Sequence, residues 1–161
     1  MAPRIDYYRE APRGLAALRQ LEDYLHDSGL PAQLLHLIKT RASQINGCAY
    51  CLDMHTKDAR AVGETEQRLY TLAAWRETPF FDERERAALA YTEALTLIAE
   101  HPDTDTRIEE LRRHFSDKEI VDLTLAIVAI NGWNRLAVTF HAPVGSYQSR
   151  IKAQGGQSSA S

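Results

Sequence analysis

The sequence predicts an all-α protein, and three observations predict it. Apolar residues recur at helical spacing along almost the whole chain. No segment combines residue alternation with the hairpin turns that strands need. The breaks between periodic runs, such as Ser28-Gly29, Asn46-Gly47 and Thr78-Pro79, are helix stops and starts. With 161 residues the chain suits one domain with a sizeable core, which needs no metal or disulfide staple to fold. The expected layout is a single domain of seven to eight helices over residues 1–152. The small polar residues 153–161 are expected to form a disordered tail.

Taken in order, Leu15, Leu18, Leu21 and Leu25 define a first helix between Pro12 and Leu30. Pro31 suits the opening turn of a second, mostly buried helix that ends at Asn46-Gly47. A third helix is expected to begin near Cys48 and to run through Ala59 to Gly63, and a fourth from about Glu64 to Trp75. Asp82 caps the next, whose core candidates are Ala87, Leu89, Ala90, Leu95, Leu97 and Ile98. A short charged helix spans Thr104 to Phe115. Ser116 and Glu119 then form a capping box before the apolar run Ile120 to Ile130. Asn131-Gly132 is expected to stop that run, leaving Trp133 to His141 as a last helix. Ile45-Asn46-Gly47 and Ile130-Asn131-Gly132 echo one another, either as a helical-hairpin repeat or as one good stop used twice.

Charge and hydropathy exclude several classes. The chain carries 19 basic and 22 acidic residues, a formal net charge of -3, so neither a nucleic acid nor an anionic membrane is an expected partner. The polar start MAPRIDYYREAPRG lacks the apolar core of a secretory signal. Ile120 to Ile130 holds Asp122 and by itself is too short for a bilayer. The expected address is therefore cytoplasmic, where a cysteine pair is redox-active or metal-binding more often than structural.

The chain has two cysteines, and they form Cys48-x-x-Cys51-x-x-x-His55. On a helix starting near Cys48 the three side chains follow one stripe. Thiols at this spacing can close a disulfide, and a thiol at a helix N-terminus has a lowered pKa. His55, one turn past Cys51, can take a thiol proton and return one to a leaving group. That pattern points to thiolate attack on a peroxide or disulfide, followed by resolution by the second thiol. Zinc is the first rival, but no second cysteine pair completes a structural site, and neither metal nor cofactor is expected. A thioredoxin-like reading lacks the preceding strand. A purely structural pair of buried thiols remains the plain alternative.

Ser43-Gln44-Ile45-Asn46-Gly47-Cys48-Ala49-Tyr50-Cys51 with Met54-His55-Thr56-Lys57-Asp58-Ala59-Arg60 closely resembles the alkylhydroperoxidase D-like (AhpD-like) branch of the carboxymuconolactone decarboxylase family. The resemblance continues through Gly63-Glu64, Trp75-Arg76-Glu77, Phe80, Glu85 to Ala90 and Ala129-Ile130-Asn131, and so spans most of residues 15–142. It implies an all-helical fold, homo-oligomers such as trimers or hexamers, and a thiol-dependent peroxidase that acts on a peroxide and is reset by an external dithiol reductant. It also implies Cys51 as the peroxide-attacking residue and Cys48 as the resolving one, whereas the helix dipole alone favours Cys48. The family's relay glutamate, twelve residues before the first cysteine, is His36 here. A histidine can shuttle protons but supplies no permanent negative charge. This departure keeps open a redox sensor or disulfide-exchange protein of the same fold. A decarboxylase has no evident need for the cysteine pair.

Other candidates have plainer readings. Tyr50 could donate to a bound peroxide but is expected to pack against a neighbouring helix. His141 suits the negative end of the last helix. His26, His101 and His114 are expected in solvent, as are Arg112-Arg113 and the run Asp82 to Arg86. Trp75 and Trp133 are core or subunit-interface material.

Overall fold

The longest helix organises the molecule and departs most from the sequence expectation. In the computed structural model, which describes residues 4–101 and 105–151, helix α8 runs unbroken over Asp117–Phe140. It starts in the expected Ser116–Glu119 capping box and continues through Asn131-Gly132, so there is no separate helix from Trp133. The Asn131 amide turns back onto its own helix, donating to the Ile127 carbonyl at 2.9 Å and to Thr96 Oγ1 at 3.2 Å. Gly132 does not use a positive φ. A methyl group there would meet only Leu18, at 3.8 Å, an ordinary contact, so nothing in the packing requires glycine at this position. The stop comes at His141, whose left-handed conformation (φ 55°) closes α8.

The preceding elements are α1 (Tyr7–Glu10), α2 (Pro12–Asp27), α3 (Ala32–Ile45), α4 (Ala49–Ala61), α5 (Glu66–Thr71), a 3-10 segment (Leu72–Glu77), α6 (Glu83–Thr96) and α7 (Asp105–Arg112). The described residues are thus all-helical, as predicted. Differences lie at helix ends. The helix expected from Glu64 to Trp75 tightens after Thr71 into the 3-10 segment, with Ala74 off helical geometry. Helix α6 ends at Thr96, so Ile98, expected in the core, is 60% exposed. The short charged helix begins at Asp105 and ends at Arg112, while Thr104 and the tail 153–161 lie outside the described residues.

Helix α3 packs against α4, α6 and α8, and α8 also meets α2, α4 and α7. Leu25, Ile38, Leu111, Leu123 and Ile127 anchor the largest core cluster. Leu37, Leu72, Trp75, Phe81 and Leu89 form a second under the 3-10 segment. A third joins Cys48 and Cys51 to Ala42, Ile130 and Ala137, at the junction of α3, α4 and α8. Here the two Ile-Asn-Gly sequences meet: Asn46 donates to the side-chain oxygens of Asn131 (3.0 Å) and Asn134 (2.8 Å), and Asn134 donates to Ser43 at 3.0 Å.

Helix α8 is long and apolar enough to cross a membrane by length and composition, which Ile120 to Ile130 alone is not. Its buried Asp122 and Asn134 are both hydrogen-bonded, and helices cover it on several sides, so here it is the core helix of the bundle. The charged run after Asp82 does more than face solvent. The Arg84 guanidinium sits 4.0 Å from the Phe115 ring centroid and pairs with Glu119 at 2.7 Å. Arg86 donates to carbonyls at the end of the 3-10 segment. His26 is exposed as expected, but His101 and His114 are half-buried. His114 lies on the face that Arg84 covers, and Arg84 donates to its carbonyl.

Candidate active site

Gly47, with φ at 63°, makes the turn out of α3 that a side chain would strain. The chain then enters α4 through Cys48, which is extended and serves as its N-cap. The Cys48 sulfur accepts the Cys51 N–H at 3.3 Å. The two cysteines are joined as a disulfide, with Cα atoms 5.4 Å apart.

Both cysteines are buried, yet their surroundings differ. A cavity of about 630 Å³ lies beside α4, and Tyr50, Cys51, Met54, His55 and Asp58 form its α4 wall at helical spacing. Cys48 is outside that lining. Helix α3 contributes Leu35, His36 and Lys39; α2 contributes Arg19 and Glu22; α8 contributes Trp133 and Ala137. Tyr147 and Arg150 close the remaining side. The expected stripe of Cys48, Cys51 and His55 is therefore divided: Cys51 and His55 face the cavity, and Cys48 caps the helix behind them.

His36 is brought to His55, with ring centroids 5.7 Å apart. Asp58 completes a cluster in which one donor atom from each of the three lies within 4.8 Å of the others. The Tyr147 hydroxyl holds the Asp58 carboxylate at 2.9 Å, and Lys57 Nζ donates to the Tyr147 carbonyl at 2.9 Å. The Nδ1 atoms of both histidines are buried and have no hydrogen-bond partner.

Burial dominates the electrostatics. It pushes the His36 imidazole down to about 4, helped by the Lys39 ammonium and opposed by Asp58 and Glu22. Burial, then Lys39 and His36, holds His55 well below its ordinary value. Both rings are therefore neutral at pH 7. Lys39 is buried and ion-paired with Glu22, which also accepts the Trp133 indole N–H at 3.1 Å. Burial also raises the Tyr50 hydroxyl pKa. That residue both lines the cavity and packs on the core cluster around the cysteines.

Asp58, Tyr147 and Lys39 are site residues that the motif alone did not single out. Asp58 had a signal, since it lies three residues after His55 and seven after Cys51 on one helical stripe. Tyr147 had none, because its segment follows the last helix and has no periodicity.

The model of the carboxymuconolactone decarboxylase family matches residues 9–94, more than half of the chain. The chain belongs to this family. The uncharacterised protein YdfG of Bacillus subtilis (strain 168) is 44% identical over 138 residues, covering 86% of this chain and 94% of its own. A solved structure from Agrobacterium tumefaciens, described as a protein of unknown function and a candidate antioxidant defence protein AhpD, superposes with a TM-score of 0.86. Its sequence is 47% identical, and the match covers 91% of this chain and 100% of that one. Within the carboxymuconolactone decarboxylase family the chain sits on the AhpD-like branch. The debrominase Bmp8 superposes with a TM-score of 0.74 at 20% identity, over 85% of this chain and 74% of that one. At that distance the likeness is one of fold, and it illustrates that a fold does not fix a reaction.

Proposed function

We propose that the protein is a thiol-dependent peroxidase working through Cys51 and Cys48. The observation that carries the reading is that Cys51 and His55 border one cavity while Cys48 stands behind Cys51. With the disulfide reduced, neutral His55 takes the Cys51 proton and the thiolate attacks one oxygen of a peroxide. The O–O bond breaks, the departing alkoxide takes the proton from His55 and leaves as an alcohol, and Cys51 becomes a sulfenic acid. Cys48 then attacks the Cys51 sulfur, water leaves, and the disulfide forms. An external dithiol reduces it, gaining a disulfide of its own, and restores both thiols. His36 and Asp58, clustered with His55, relay its proton, taking over the part of the relay glutamate that the family resemblance implies.

The second reading is a redox sensor or disulfide-exchange protein. The depressed basicity of His55 favours it, since a weak base slows thiol activation. Steady-state peroxide consumption with a dithiol reductant, measured beside stoichiometric thiol oxidation, separates the two. Turnover supports the peroxidase, and oxidation without turnover supports the sensor.

We infer that the protein works in the cytoplasm as a homo-oligomer, a trimer or a hexamer. Val121 and Val128, seven residues apart on α8 and 57% and 54% exposed, support a second copy covering this face.

A further inference from the structure

We propose that His36, His55 and Asp58 form a binding site for a divalent transition-metal ion, with Zn²⁺ as the fitting ion. Two imidazoles and one carboxylate are a suitable donor set for zinc, and a fourth position would face the cavity. The three donors come from two packed helices and lie within 4.8 Å of one another. A tetrahedral ion with bonds of about 2.0–2.2 Å draws its ligand atoms to roughly 3.3 Å apart. The side chains therefore need to close by about 1.5 Å at most, which rotations of the rings and the carboxylate supply.

Independent observations point the same way. His55 is 6% exposed, and its Nδ1, like that of His36, is buried without a partner. Buried polar atoms are rarely left unpaired, and a metal bond would satisfy one of these nitrogens on each ring. Asp58 is oriented by the Tyr147 hydroxyl, the outer-layer arrangement that fixes metal-ligating carboxylates. The nearest cation, Lys39, is paired with Glu22. Glu22 and Asp23 line the same cavity as Arg19 and Arg150.

The ion would occupy a lone pair of His55. If the peroxidase reading holds, on which this consequence rests, Zn²⁺ then suppresses turnover reversibly. Binding itself does not depend on that reading.

The test uses tag-free full-length protein with the Cys48–Cys51 disulfide closed, so that no thiol can ligate. Titration calorimetry with Zn²⁺, and visible spectroscopy with Co²⁺ as a probe, should each give one equivalent bound. His36→Gln and Asp58→Asn should each weaken binding roughly tenfold or more. On the wild type, Zn²⁺ should shift the NMR signals of the His36 and His55 rings and leave those of His26, His101, His114 and His141 in place. This second readout decides the matter if a variant fails to fold. Absence of binding, unchanged affinity in both folded variants, or shifts confined to the other histidines would overturn the site. A protein that binds Zn²⁺ but consumes no peroxide keeps the site and loses only the peroxidase reading.

Discussion

The sulfur of Cys48 caps the helix that carries Cys51, accepting its backbone N–H at 3.3 Å. Two properties that the motif leaves on either cysteine thus fall on different atoms. The field of the helix N-terminus stabilises negative charge on Cys48, which favours it as the leaving thiolate when the disulfide is opened. Access from the cavity belongs to Cys51.

The cap gives a stability prediction for the reduced protein. Serine is a better N-cap than alanine, so Cys48→Ala should be less stable than Cys48→Ser by about 1 kcal/mol. Urea denaturation of both variants under reducing conditions checks this. Equal midpoints would mean that the position contributes no cap.

The asparagine network joining α3 to α8 should be costly to break. Asn134 is 1% exposed and bonds to both Asn46 and Ser43. Asn134→Ala takes an acceptor from half-buried Asn46 and a donor from buried Ser43, and should lower unfolding free energy by about 1–3 kcal/mol. Chemical denaturation measures it. A loss below half a unit at the lower bound would show that water replaces the side chain at little cost.

Gly132 yields the opposite sign. It lies inside a helix without a positive φ, and an added methyl would meet Leu18 at 3.8 Å, an ordinary contact. Gly132→Ala should therefore stabilise by about 0.5–1 kcal/mol. A lowered melting temperature would show that α2 and α8 pack too closely there for a methyl group.

Stability at low pH should depend on Glu119. The Arg84 guanidinium and the Ser116 backbone N–H lower its pKa to about 2 from an ordinary 4.5. A carboxylate lowered by folding stabilises the native state above its unfolded value, and that contribution is lost as pH falls through the folded value. Its side chain is 31% exposed, so solvent reduces the contribution to on the order of 1 kcal/mol. The stability gap between wild type and Glu119→Gln should shrink as pH falls from about 4.5 toward about 2. A gap independent of pH would assign the effect to packing.

The fold was legible where local chemistry acts alone. Asp82 caps α6 as read and adds a capping box with Glu85, Ser116 forms its expected capping box with Glu119, and Asn46-Gly47 ends α3 as read. Asn131-Gly132 carries the same two residues and does not end a helix. Tertiary contacts decide between the two uses: the Asn131 side chain is held between α3 and α6, accepting from Asn46 and donating to Thr96. Half of the site was likewise readable, because Cys51 and His55 share one helical stripe; Asp58 lies on the same stripe but was not singled out. The meeting of His36 with His55 depends on how α3 packs on α4, and Tyr147 reaches Asp58 from 89 residues away, which no local pattern encodes.

The peroxidase reading is tested most directly by trapping the first chemical intermediate. Reduced Cys48→Ser protein, treated with one equivalent of an organic hydroperoxide and then with a sulfenic-acid-selective dione, is analysed by peptide mass spectrometry. The expected result is a dione adduct on Cys51 in high yield and none in the Cys51→Ser protein. An adduct on Cys48 in the Cys51→Ser protein, with Cys51 unmodified in Cys48→Ser, would contradict it.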